Sequence, residues 1–207
     1  MRRTTLLVIC TLALALCAGS AFAQTAPAAD TLKVDYFSYA NTSGAPYASV
    51  RVINPGTAGG NICADFFVFD SYQELTECCG CLVSPDGLLT LSVDYDLTSN
   101  PLTGVTLNTG VVKIISTATK SGYCPLPFTP TAGIRGWGTH IQIGVNESYA
   151  LTETASQDAT LSAAELTRIQ HECEAIVLDG SGHGFCSCGE GDTVSATSHK
   201  SAFKTAN

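Results

Sequence analysis

Eight cysteines constrain this chain more than any other feature: Cys63, Cys78, Cys79, Cys81, Cys124, Cys173, Cys186 and Cys188. Two more, Cys10 and Cys17, lie in a leader that reads as a secretory signal over residues 1–23. Arg2 and Arg3 supply its positive start, Leu6 to Leu16 its uncharged apolar run, and Ala21-Phe22-Ala23 a small-x-small cleavage site, so removal is expected before Gln24. A membrane anchor is the competing reading, but the run falls short of the roughly 18 residues a spanning helix needs. Lipidation at Cys17 is another, and there Leu16 stands where a small residue belongs. The mature chain is expected outside the cytoplasm, secreted or on the cell surface. An even number of cysteines in an exported chain predicts full pairing.

Which cysteines pair is left open by the spacing. Vicinal Cys78 and Cys79, and Cys186 and Cys188 around Ser187, are poorly placed to join each other and are expected to reach outward. The first pairing to expect joins Cys173 to Cys186 or Cys188, closing a helix onto the loop after it. A zinc cluster of Cys78, Cys79, Cys81, Cys186 and Cys188 with His183 is the alternative. It lacks the repeated Cys-x2–4-Cys spacing of structural zinc and suits an oxidising compartment poorly. A redox pair of Cys78 and Cys81 lacks the surrounding βαβ pattern. No metal or cofactor is expected.

The charge balance narrows the partners. Ten basic residues face 18 acidic ones, a net charge of −8. Loss of Arg2 and Arg3 would leave a formal charge of −10. Nucleic-acid backbones and anionic lipid are poor partners for such a chain, because both are held by clustered Lys and Arg. With 45% hydrophobic and 14% charged residues, intrinsic disorder is excluded. The expected organisation is an unstructured leader over 24–30, one domain over 31–189 and a flexible tail over 190–207. No segment after the signal is long and apolar enough to span a membrane.

Period-two alternation dominates the domain. Leu32, Val34 and Tyr36 alternate with Lys33 and Asp35; Val50 and Val52 flank Arg51 before the Asn54-Pro55-Gly56 turn. Ile62 to Phe69 is nearly all apolar and predicts a central strand covered on both faces. Leu89, Leu91, Val93, Tyr95 and Leu97 predict one face of a long strand, introduced by the turn Ser84-Pro85-Asp86-Gly87. Val111 to Ile115 and Ile141 to Val145 predict two more, the latter with Tyr149 to Thr154 as hairpin partner. Such spacing without helical crossovers predicts an antiparallel β-sandwich, Ig-like or similar.

One helix is expected near residues 163–178. Ser162 and Glu165 make a capping box, flanked by Leu161 and Leu166. Leu166, Ile169, Cys173, Ile176 and Val177 form its apolar stripe, with Arg168 and His171 opposite and Asp179-Gly180 ending it.

Residues that could carry chemistry are few. Asp179, Ser181 and His183 lie in a glycine-rich segment and motivate a secreted hydrolase as an alternative. The nucleophile elbow needs Gly-x-Ser-x-Gly between strand and helix, and here the segment follows a helix. His140 and His171 are expected to face solvent, and His199 lies in the tail. Asp86, Asp94 and Asp96 motivate a calcium-dependent adhesin, although strand-alternating Asp is ordinarily a wet face. Trp137 and Tyr95 are candidates for an aromatic platform for sugars. The sequons at Asn41 and Asn146 matter only in a eukaryotic source.

Four segments, Ser49 to Gly56, Cys63 to Asp70, Glu77 to Cys81 and Gly180 to Cys188, together resemble uncharacterised cysteine-rich secreted proteins of bacteria. The resemblance implies an exported bacterial protein and transfers no catalytic residue. The resulting expectation is a non-enzymatic structural, adhesive or binding module of the cell envelope or extracellular space, with an extracellular protein or glycan as partner.

Overall fold

The computed structural model describes residues 30–178, 182–189 and the backbone of 203–205. The signal sequence, and the leader up to residue 29, lie outside the described residues. The strands are β1 (Leu32–Phe37), β2 (Ser49–Ile53), β3 (Ile62–Phe69), β4 (Leu75–Val83), β5 (Leu88–Ser92), β6 (Gly110–Ala118), β7 (Cys124–Leu126), β8 (Arg135–Ile143), β9 (Tyr149–Ala155), β10 (Gln157–Asp158) and β11 (Phe203–Thr205). One α-helix is present among the described residues, α1 (Ala163–Leu178), which follows β10. Two antiparallel sheets, in the orders β10-β1-β6-β3-β4 and β5-β2-β8-β9, form the sandwich that the alternation predicts. Phe203–Thr205 pairs in parallel with β7, and the rest of 190–207 lies outside the described residues.

Strand β3 shows how the sheets share their cores. All eight of its residues are buried, as its continuous apolar sequence predicts. Ile62, Ala64, Phe66 and Val68 enter the core between the sheets, with Val50, Val52, Leu91 and Leu97. Cys63, Phe67 and Phe69 face the other way, into a second core capped by α1 through Ile169, Cys173 and Ile176. Successive side chains leave a strand on opposite faces. The helix therefore belongs to one face and the second sheet to the other.

The same rule resolves the cysteines. Cys78 and Cys79 are neighbours on β4 and point to opposite faces, so their bonds cannot compete. Cys78 joins Cys173 of α1, Cys79 joins Cys186, Cys81 joins Cys188 and Cys63 joins Cys124. The expected pairing of Cys173 with Cys186 or Cys188 is thus corrected. The chain after α1 turns around the sheet edge, and the opposite face of β4 captures it. These four bonds suit an oxidising compartment.

That turn protects an edge. β4 is the outermost strand of its sheet, and Cys78 donates its backbone N–H to the Gly184 carbonyl at 2.8 Å. Gly184 has φ +80°, and a Cβ there would lie 2.8 Å from Ile176 Cγ2, so a glycine is required. Residues 184–188 cover the edge backbone, which blunts strand addition by another chain.

Helix α1 starts where its sequence predicts. Ser162 Oγ accepts the Glu165 backbone N–H at 3.1 Å. The Glu165 carboxylate, however, does not close a reciprocal box; it pairs with Lys113 of β6 and with Arg168. Burial opposes its ionisation, but the hydrogen bonds from Lys113 and Arg168 prevail and hold it below the usual glutamate value. Arg168 also lies over the Phe69 ring, so it covers the core edge while its side chain stays 39% exposed. His171 is exposed, as expected.

Candidate binding site

The pairing registers place the loops. Phe37 lies opposite Gly110, and Phe69 opposite both Val111 and Leu75. In the second sheet Ser49 lies opposite Ser92, and Ile143 opposite Tyr149. Ser38 Oγ donates to the Ile141 carbonyl at 3.3 Å, and Ala40 N–H to the Asn108 carbonyl, which brings these strand ends to one pole of the sandwich. Residues 38–48, 70–74, 93–109 and 144–148 connect strands there. They contain no Lys or Arg but hold Asp70, Glu74, Asp94, Asp96 and Glu147.

This pole gathers aromatic surface. Tyr36, Tyr39, Tyr47, Tyr72 and Tyr95 are all exposed large side chains, and all belong to its loops or adjoining strand ends. Leu102, Val105 and Val145 are exposed beside them in the same loops. Tyrosine presents much apolar area with a polar tip and little rotamer entropy to lose, which makes it an effective contact residue.

Tyr47 and Tyr95 form the best-defined part. Their rings lie 5.0 Å apart at 60°, and the Tyr95 hydroxyl donates to that of Tyr47 at 2.9 Å. Each side chain is 61% exposed. The hydrogen bond to Tyr47, helped by the Asp94 charge, raises the Tyr95 phenol above its ordinary value. Tyr95 thus keeps its proton at physiological pH.

The reason Tyr95 faces water was not visible in the alternation. The predicted strand from Leu89 to Leu97 ends at Ser92, and Val93–Leu97 winds into one turn of π-helix. Val93 and Leu97 stay buried, while Tyr95, expected on the same face, is turned out. Side chains impose the turn by capturing backbone groups that a strand would use. Asp96 Oδ2 accepts the Ser92 N–H at 2.7 Å, Thr98 Oγ1 donates to the Val93 carbonyl at 2.8 Å, and Ser92 Oγ donates to Asp94. Isolated π-turns are uncommon and recur at functional sites.

The turn is also pinned from outside. Val93 N–H donates to the Ala48 carbonyl at 2.9 Å, which ties the Tyr95 turn to the residue after Tyr47. Ser187 donates its N–H to the Asp96 carbonyl at 2.9 Å and its hydroxyl to Asp96 Oδ1 at 2.7 Å. Ser187 is itself held between Cys186 and Cys188, bonded to Cys79 and Cys81. A continuous line of bonds runs from the β4 disulfides to the tyrosine pair.

The other sequence candidates fare differently. Trp137 does not meet Tyr95: it is half-buried on β8, opposite Arg51 and Ala155. Asp86 sits in the turn before β5, at the far end of that strand from Asp94 and Asp96. The Asp94 and Asp96 carboxylates are occupied by Ser92 and Ser187, so these three do not gather into one cluster. Asp179 and Ser181 lie outside the described residues; His183 is exposed. His199 is likewise outside them.

His140 is a correction, because it is buried rather than facing solvent. On β8, its side chain faces β1, with Nε2 2.7 Å from Thr154 Oγ1 of β9 and 3.5 Å from Asp35 Oδ1 of β1. Tyr36 stacks on its ring at 4.3 Å. Ser156 donates to Asp35 Oδ2 at 2.9 Å. Burial raises the Asp35 pKa, against the lowering effects of Ser156, His140 and the Tyr36 N–H. Gly136 and Gly138 open this space: a Cβ on Gly138 would lie 2.0 Å from Asp35 Oδ2. The substitution G138A is therefore expected to destabilise the fold by about 2–3 kcal/mol through overpacking, read as a lower urea midpoint at unchanged slope.

Among the described residues, no helix is long and apolar enough to cross a membrane. No protein-family model matches the chain, and no curated protein sequence matches it. A similar solved structure, titled "Crystal Structure of Thermotoga maritima 1070", covers 63% of this chain and 93% of its own. It shares 13% identity at a TM-score of 0.40.

Proposed function

We propose that the chain is an exported, non-catalytic binding module of the cell envelope or extracellular space, and that it holds its partner at the tyrosine-bearing pole. A single observation carries this reading: exposed Tyr95, hydrogen-bonded to exposed Tyr47, is displayed on a turn that is fixed to disulfide-bonded backbone. Rigid display lowers the ordering cost of association, so more of the contact energy appears as affinity. The composition of the pole, rich in Tyr, Ser, Thr, Asn and Gly, also resembles that of loop-built recognition surfaces. The resemblance to cysteine-rich secreted bacterial proteins and the four disulfides favour the exported setting, with an extracellular protein or glycan as partner.

The test is retention of the labelled, disulfide-intact protein on cell-envelope material from its source. Combined Y47A, Y72A and Y95A substitution is expected to lower retention at least about tenfold, because aromatic anchors dominate such surfaces. The melting temperature is expected to move by only a few degrees, since all three side chains are exposed. Equal retention of the triple variant would refute the assignment of the pole.

A further inference from the structure

Resting on the binding-module reading, we infer that Tyr47 and Tyr95 form the stacking platform of a site for an uncharged glycan. Ring faces carry partial negative charge and attract the weakly positive C–H groups on one face of a pyranose. The two rings are tilted against each other and joined through their hydroxyls, so they act as one unit with open outer surface. The Tyr47 and Tyr95 hydroxyls stand at the edge of the pair, where sugar hydroxyls would meet them. The Asp94 carboxylate accepts from Ser92, which fixes it beside Tyr95.

Charge selects among ligands. The loops of this pole carry acidic residues and no basic ones, which disfavours phosphorylated, sulfated or uronic-acid-rich chains. A neutral polysaccharide meets no such penalty. Preorganisation adds the remaining argument: the π-turn and its tie to Ser187 hold Tyr95 in place before any ligand arrives.

Native affinity electrophoresis of the disulfide-intact chain provides the test. The gels contain arabinoxylan, galactomannan, hydroxyethylcellulose or dextran, with polygalacturonate as the charged counterpart. At least one neutral polymer is expected to retard the protein and polygalacturonate is not. Y47A and Y95A are each expected to weaken retardation about tenfold. Y95W, which keeps an aromatic face, is expected to retain it, and this separates loss of the ring from loss of the fold. Retardation by none of the neutral polymers, retardation by polygalacturonate alone, or full retardation of both alanine variants would overturn the glycan assignment. If that happens while the tyrosine triple variant still loses retention on envelope material, the binding-module reading stands and only the ligand class falls.

Discussion

Removing the Cys63–Cys124 bond, as the double substitution to alanine, is expected to be the most damaging loss of any single disulfide. A cross-link stabilises by restricting the unfolded chain, and the restriction grows with the loop it closes. Cys63 and Cys124 are 61 residues apart, and no route through the other bridges is shorter. The expected cost is about 4 kcal/mol from loop entropy. Cys78 and Cys173 are 95 residues apart, yet the neighbouring Cys79–Cys186 bond already shortcuts that loop. Its effective size is about 14 residues and its removal is expected to cost about 3 kcal/mol. Cys81–Cys188 lies just two residues from Cys79–Cys186 on β4 and on the segment after α1, and its removal alone is expected to cost about 2 kcal/mol. Urea midpoints of the three double variants check the order. A ranking that follows sequence separation instead, with Cys81–Cys188 costliest, would contradict the shortcut argument.

Acidification is expected to stabilise this protein over the range where many proteins begin to weaken. Burial of the Asp65 carboxyl pushes its pKa from 3.8 to about 8, against the lowering effect of the Thr117 hydroxyl at 2.7 Å. Burial likewise pushes Glu77 from 4.5 to about 8, against the Asn100 N–H at 3.1 Å. One oxygen of each carboxylate, Asp65 Oδ1 and Glu77 Oε2, has no hydrogen-bond partner. Between the unfolded and folded pKa values the native state binds more protons than the unfolded chain, so stability falls as pH rises. The full contribution is present below about pH 4 and is lost as pH rises through about 8. Stability is expected to drop by several kcal/mol between pH 5 and pH 9. D65N and E77Q are each expected to flatten part of this slope. Isothermal urea unfolding across that range is the measurement, and stability rising toward pH 9 would refute it.

Both expectations concern features that the sequence disclosed unequally. Strand β3 was legible because eight consecutive buried residues leave an apolar run, and α1 was legible from its cap and stripe. Strand β4 was missed: Leu75 to Val83 carries three cysteines and a glycine, and its burial comes from disulfides and the covering segment rather than from alternation. Asp65 lies inside that apolar run, and nothing local revealed that it would be fully enclosed, beside the Cys63–Cys124 bond and the Thr117 hydroxyl. The set of bonded cysteines was readable, but their partners depend on which face of β4 each one leaves. His140 was misplaced because glycines on β8 admit Asp35 from the facing strand.

The candidate site was half legible. Tyr95 was singled out, but for the wrong partner. Its exposure depends on Asp96, Thr98 and the distant Ser187, whose hydrogen bonds override the strand pattern. Tyr47, 48 residues away, gave no periodic signal.

Strand β4 is a clamp with two faces, in which Cys78 secures the helix while Cys79 and Cys81 secure the segment that pins the tyrosine turn. Stepwise partial reduction and alkylation of the native protein, followed by tandem mass spectrometry of its peptides, tests this most directly. The predicted result is Cys78 with Cys173, Cys79 with Cys186, Cys81 with Cys188 and Cys63 with Cys124, with no free thiol. A bond from Cys173 to Cys186 or Cys188, or a free thiol at Cys79 or Cys81, would contradict it.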